Sequence, residues 1–116
     1  MMLWIDHPSS REISQREMNI SGWCAFSPFG DRQVRLEIGG IPVSFSSVRR
    51  RDVEHAYPDC FVLGFDFRLE LAYYMRTIRG HTLFLEVVLG DVTRAEARFA
   101  VSPKTLRNCM AAASGL

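Results

Sequence analysis

Along most of this chain apolar and polar residues alternate with a period of two, the pattern of strands that bury one face. Over residues 17–26, Met18, Ile20, Gly22 and Cys24 share one side. Val34, Leu36 and Ile38 alternate with Arg35 and Glu37, and after Gly39-Gly40 the row resumes at Ile41, Val43 and Phe45. Keeping both rows on one face predicts the pairs Ile38–Ile41, Leu36–Val43 and Val34–Phe45, closed by a two-residue glycine loop. Pro42 brings no N–H to a ladder, so this strand is expected at a sheet edge. Leu63, Phe65, Phe67, Leu69 and Leu71 form the clearest row, with Gly64, Asp66, Arg68 and Glu70 between them. Leu83, Leu85, Val87 and Leu89 form another, facing Thr93, Ala95, Ala97, Phe99 and Val101. Parity there predicts a three-residue turn, Gly90-Asp91-Val92, which sets Val87 against Ala95 and Leu85 against Ala97.

The connections carry their own signals. Ser27-Pro28-Phe29-Gly30-Asp31 reads as a turn. Residues 52–57 read as one short helical turn capped by Asp52, with Tyr57 dropping into the core edge and Pro58 stopping the helix. Gly64 is expected to let the backbone kink or approach closely as the chain enters the next strand, and Gly80 to end a helical turn or loop over Ala72–Arg79. Together these predict an all-β, antiparallel β-sandwich of about six or seven strands, immunoglobulin-like, occupying residues 1–101. Residues 102–116 are expected as a short helix, capped by Ser102 with Pro103 at its first position and continued by Leu106 and Met110, or as a linker leading to a further domain.

Composition narrows the classes. At 116 residues with 47% hydrophobic and 23% charged positions, the chain can bury a core without disulfides or metals, which excludes disorder. A formal net charge of +1 supplies no field for nucleic acid or anionic lipid. No apolar run reaches the roughly 18 residues of a membrane span, and the amino terminus lacks a signal-peptide pattern. Cys24, Cys60 and Cys109 are odd in number and widely spaced, so the expected setting is cytoplasmic, reduced and metal-free. Among 14 basic residues only Lys104 is a lysine; the arginines are scattered, as codon bias would leave them.

No catalytic motif accompanies this pattern, and the expectation is a protein that is not an enzyme and has no cofactor. His7, His55 and His81 are isolated. Asp66 and Glu70 belong to one strand's polar face. Arg49-Arg50-Arg51 is the sole charge cluster. It reads either as an anion site or as a solvated loop in which Arg51 holds a nearby acid and Arg49 and Arg50 face water. A cyclic-dinucleotide barrel of the PilZ type would need a D-x-S-x-x-G element, and Asp59-Cys60-Phe61-Val62-Leu63-Gly64 lacks the serine. Trp4, Trp23, Tyr73 and Tyr74 could stack on sugar rings. Trp23 is expected to cover one end of the core, and Tyr73 and Tyr74, being adjacent, cannot both point inward. The candidate ligand-binding set is therefore Trp4, Arg49, Arg50, Arg51, Tyr73 and Tyr74.

Asp6-His7-Pro8, Ser21-Gly22-Trp23, Gly39-Gly40, Arg51-Asp52-Val53 with Tyr57-Pro58, Gly64-Phe65 and Gly80-His81-Thr82-Leu83 follow one another in an informative order. In that order and spacing, over roughly residues 5–101, the chain resembles a small β-sandwich module attached to bacterial glycosyltransferases and surface-polymer methyltransferases. The family's proline between Arg and Asp-Val is absent, since Arg51 directly precedes Asp52. The resemblance implies a non-catalytic accessory domain, with a glycan or a covalently linked catalytic domain as partner. The alternative is a docking or dimerisation domain without a ligand, pairing as a homodimer through an edge strand. A coplanar exposed set of Trp4, Tyr73 and Tyr74 would favour glycan; an apolar patch around Pro42 would favour protein.

Overall fold

The computed structural model describes residues 1–27 and 33–114, so most of the turn expected at Ser27–Asp31 lies outside the described residues. Two sheets pack around one core. The first orders Met2–His7 (β1), Glu17–Phe26 (β3), Phe61–Glu70 (β7) and Ser46–Val48 (β6) as β1-β3-β7-β6. The second orders Glu12–Ile13 (β2), Val92–Val101 (β9), Thr82–Leu89 (β8), Val34–Ile38 (β4) and Ile41–Val43 (β5) as β2-β9-β8-β4-β5. The inward rows of both sheets meet in one buried cluster. Ile20, Phe65 and Leu69 come from the first sheet, and Leu36, Leu85 and Phe99 from the second. This is a two-layer β architecture, as the alternation predicts.

Two expectations about the sheets change in detail. The strands number nine among the described residues, because β1, β2 and β6 lack a clean apolar alternation and were not expected. The sheets are not wholly antiparallel: β2 runs parallel to β9, pairing Glu12 with Ala100 and Ile13 with Val101. The chain enters β2 through Arg11, whose φ of 55° is left-handed, and the Arg11 carbonyl accepts the Ala100 N–H at 2.9 Å.

At the glycine hairpin the pairs Leu36–Val43 and Ile38–Ile41 form across Gly39 and Gly40, with φ of 56° and 83°. That geometry suits the two-residue turns that match strand twist. The third expected pair, Val34–Phe45, does not form. The chain leaves after Val43 and crosses to the other sheet, where Ser46–Val48 pairs with β7. β5, with Pro42, is an edge strand as expected.

At the last hairpin Val87 does oppose Ala95 and Leu85 does oppose Ala97. The device is different, however. Leu89 pairs with Val92 across a two-residue Gly90-Asp91 turn, and a bulge between Val87 and Val88 shifts the register by one. A bulge corrects parity as effectively as an added loop residue.

Leu71–Thr77 forms a 3-10 helix. Its exit is the extended residue Ile78, not Gly80; Gly80, with φ of 64°, lies instead in the tight Arg79–Thr82 turn that opens β8. Pro103–Ser114 is a helix (α2). The Ser102 Oγ accepts the Thr105 N–H at 3.1 Å and donates to the Thr105 hydroxyl at 2.6 Å, the N-cap expected of that serine. Thr105 and Cys109, one turn apart, are buried, whereas Met110 is exposed.

Candidate functional site

The outer face of the four-stranded sheet gathers aromatic and charged side chains. Because Ile20 and Cys24 point into the core, strand parity turns Trp23 outward. The ladder then sets Trp4 opposite Trp23, Trp23 opposite Gly64 and Gly64 opposite Val48. These four residues form one row across all four strands. Trp23 is therefore not a cover for the end of the core, the place expected for it; its phase, opposite to Ile20 and Gly22, decides its direction. It is half-buried because a short helix, Arg51–Ala56 (α1), lies over this face with Val53 buried beneath it. Tyr57, at the end of α1, lies with its ring 5.8 Å from that of Trp23 at a 38° tilt. Tyr57 thus packs on the outer face and not at the core edge.

Gly64 is where that row admits another chain segment. A Cβ there would stand 2.2 Å from the Val48 carbonyl oxygen and 2.7 Å from Cγ of Arg50. The missing side chain lets β6 and the Arg50 stem lie directly against β7, so of the two roles open to this glycine, a kink or a close approach, it takes the second. Arg50 occupies the N-cap position of α1. Its Nε donates to Asp52 Oδ1 at 3.0 Å and its Nη2 to Asp52 Oδ2 at 2.9 Å. Its Nη1 donates to Asp6 Oδ2, from β1.

The bidentate pair and the bridge to Asp6 tie helix and sheet together through one guanidinium. The Arg50 hydrogen bonds hold the Asp52 carboxyl at about 2, below the ordinary carboxylate range, with the Val53 and Asp52 N–H groups adding to this. The Arg50 guanidinium is in turn pushed up, chiefly by its hydrogen bonds to Asp52.

This corrects the reading of the arginine run. Arg50, not Arg51, holds the acids, and only 24% of its side chain is exposed. Arg51 is exposed and has no share in the described ion pairs around α1. Arg49 faces solvent beside Glu54, at 3.5 Å. Asp52 stands inside the first turn of α1 and binds Arg50, so the cap position expected for it belongs to Arg50.

Between the aromatic row and this ion triad lies an open recess of about 400 Å³. Trp4, Trp23 and Tyr57 supply its flat surfaces, and Asp6, Arg50 and Asp52 its polar rim. Trp4 is 55% exposed. The Arg11 guanidinium stands 5.8 Å from its ring centre.

The two tyrosines of the candidate set lie elsewhere. Tyr73 is 73% exposed, while Tyr74 is half-buried against the core, where desolvation and then Glu70 push its phenol up. They line a second recess with Ile41, Pro42, Val43 and Glu70. Glu70 is six positions from Gly64 along β7, about 20 Å at the rise of a strand. The six predicted residues therefore divide. Trp4 and Arg50 meet in one recess, Tyr73 and Tyr74 in another, and Arg49 and Arg51 line neither.

Asp6, Trp23 and Tyr57 were not among the candidates. The alternating phase of Trp23 was the available signal for one of them; Asp6 and Tyr57 sit on segments whose orientation is set only by long-range pairing. Among the described residues no three His, Cys, Asp or Glu side chains gather as metal ligands, and no helix is long and apolar enough to cross a membrane. No family model, no curated protein and no solved structure matches the chain.

Proposed function

We propose that this chain is a non-catalytic accessory module of bacterial carbohydrate-active machinery, working in the cytoplasm, and that it binds glycan in the recess over the Trp4–Trp23 row. The observation that carries this reading is the arrangement of three aromatic rings beside a rim of fixed polar groups. Flat amphipathic rings take the apolar faces of sugars, while a preset carboxylate–guanidinium network meets their hydroxyls. Holding that network in advance lowers the ordering cost of a weak polar ligand.

An immunoglobulin-like arrangement belongs to the same proposal. The order β1-β3-β7-β6 corresponds to the A-B-E-D sheet of that fold, and β9-β8-β4-β5 to G-F-C-C′. Cys24 lies on β3 and β8 has no cysteine, so the inter-sheet disulfide of antibody domains has no counterpart.

A second reading rests on the other recess. Ile41 (40% exposed) and Tyr73 surround the β5 edge, an apolar patch of the kind that meets protein. β5 spans three residues and Pro42 lacks an N–H, so a homodimer or an enzyme docked there would be held by side chains more than by strand pairing.

Binding to bacterial surface polysaccharide fragments, followed through the backbone amide and the two tryptophan indole N–H signals, separates the two readings. The glycan reading expects shifts of both indoles in the native chain and no shift of the remaining Trp23 indole in Trp4→Ala, with Tyr73→Ala unaffected. Binding that survives Trp4→Ala and disappears in Tyr73→Ala would move the site to the β5 edge. No binding, together with a dimer mass by light scattering, would favour docking.

A further inference from the structure

The charges around the aromatic recess specify which glycans it can take, an inference that rests on the glycan reading above. Asp6, Arg50 and Asp52 stand on its rim, and two carboxylates with one guanidinium leave one net negative charge. The one cation among them is already occupied. Nε, Nη1 and Nη2 of Arg50 each donate to a carboxylate oxygen, and the bidentate partner Asp52 stays ionised down to about pH 2. An acidic sugar or a phosphate would have to displace an internal carboxylate that already holds the fork geometry such anions require. It would also meet the charge that carboxylate carries, and like charges brought together cost affinity. Arg49 and Arg51 are not part of the lining, and Arg11, also outside it, already has its guanidinium 5.8 Å from the Trp4 ring centre.

The groups left unsatisfied point the other way. Each carboxylate keeps free lone pairs, and the guanidinium keeps two N–H bonds. Such a rim offers acceptors in excess and a few donors beside flat apolar rings. A hydroxyl both donates and accepts, and a ring carrying several of them without charge satisfies this rim without breaking the triad.

We propose that the recess selects an uncharged pyranose and excludes uronic acids, sialic acids and phosphorylated sugars, with Arg50 acting as a positioning residue that fixes Asp6 and Asp52. The cluster that looks in sequence like an anion site is, on this proposal, the device that turns anions away.

The test uses matched pairs that differ only at C6: cellotriose, galactotriose and mannotriose, each beside its uronic-acid counterpart. The two indole N–H signals of the intact chain report binding. At least one neutral triose should shift both indoles, and its uronate should bind about tenfold more weakly or worse. In Asp6→Asn/Asp52→Asn, whose fold is checked by its amide spectrum, Arg50 is released and the preference should narrow or reverse. A uronate that binds the native chain as tightly as its neutral partner overturns the charge selection and leaves the glycan reading standing. Silence from all six sugars overturns both.

Discussion

Gly64→Ala tests whether the outer-face site is built by close approach. The backbone at Gly64 is not left-handed, so an alanine meets no conformational strain there. Were the space open, the substitution would stabilise the protein by about 0.4–1 kcal/mol, because it restricts the unfolded chain. The space is not open. The added methyl would lie 2.2 Å from the Val48 carbonyl oxygen and 2.7 Å from Arg50 Cγ, against the roughly 3.3 Å at which carbon and oxygen normally meet. The arginine stem can swing aside, but the Val48 oxygen belongs to a strand paired with Gly64 itself and moves only if β6 moves. Overpacking of this kind costs about 1–3 kcal/mol, so the predicted effect has the opposite sign to the entropic one. Urea unfolding followed by tryptophan fluorescence gives the magnitude. The displaced stem should also loosen Arg50 from Asp52, so the Asp52 carboxyl should titrate higher than in the native chain. Gly40→Ala is the control. Its φ of 83° with nothing near the added carbon predicts strain of about 1–2 kcal/mol and an unchanged Asp52. A neutral or stabilising Gly64→Ala would refute the close-approach account.

Phe65 and Phe67, 1% and 5% exposed with rings 6.4 Å apart, should each cost about 3–5 kcal/mol on truncation to alanine in denaturant melts; less than about 1 kcal/mol would mean that the faces of β7 are reversed. Arg50→Ala should cost about 1 kcal/mol through lost pairing and stem packing, whereas Arg49→Ala and Arg51→Ala should each stay within about 0.5 kcal/mol; equal effects at all three would remove the special role of Arg50. The Asp52 carboxyl is lowered in the folded chain, so its contribution to stability is fully present above the ordinary carboxylate value of about 4 and is lost as pH falls through about 2. Its side-chain carbonyl shift should place the midpoint near 2 in the native chain and near 4 in Arg50→Ala.

The parts of this fold that could be read from sequence are those governed by parity within a strand or across a tight turn. Leu63 to Leu71 point inward because nothing between them breaks the period. Leu36 meets Val43 because two glycines with positive φ close the shortest hairpin. The last hairpin marks the boundary of that logic. Parity requires Val87 to face Ala95, but it cannot distinguish a longer loop from a bulge, since either adds one residue between the rows.

Parity also carried the information about Trp23, whose neighbours Gly22 and Cys24 belong to the inward row. Setting that phase aside because Trp23 follows Gly22 put it at the end of the core. With Trp23 turned out, the outer face of the first sheet becomes the surface that needs a partner, and α1 with Tyr57 supplies part of it.

The arginine run shows what a one-dimensional pattern omits. Arg49, Arg50 and Arg51 are adjacent and chemically identical, and the start of a six-residue helix gives no periodicity by which to tell them apart. What separates them is that β6 ends beside Gly64, which places the Arg50 stem against β7 within reach of Asp6 on β1. Gly64 and Asp6 lie 14 residues after and 44 residues before it in the chain, brought there by the order of a sheet. The glycine that admits the stem and the two acids that fix its head determine the role of Arg50, and its neighbours, with the same side chain but no such seat, remain solvated.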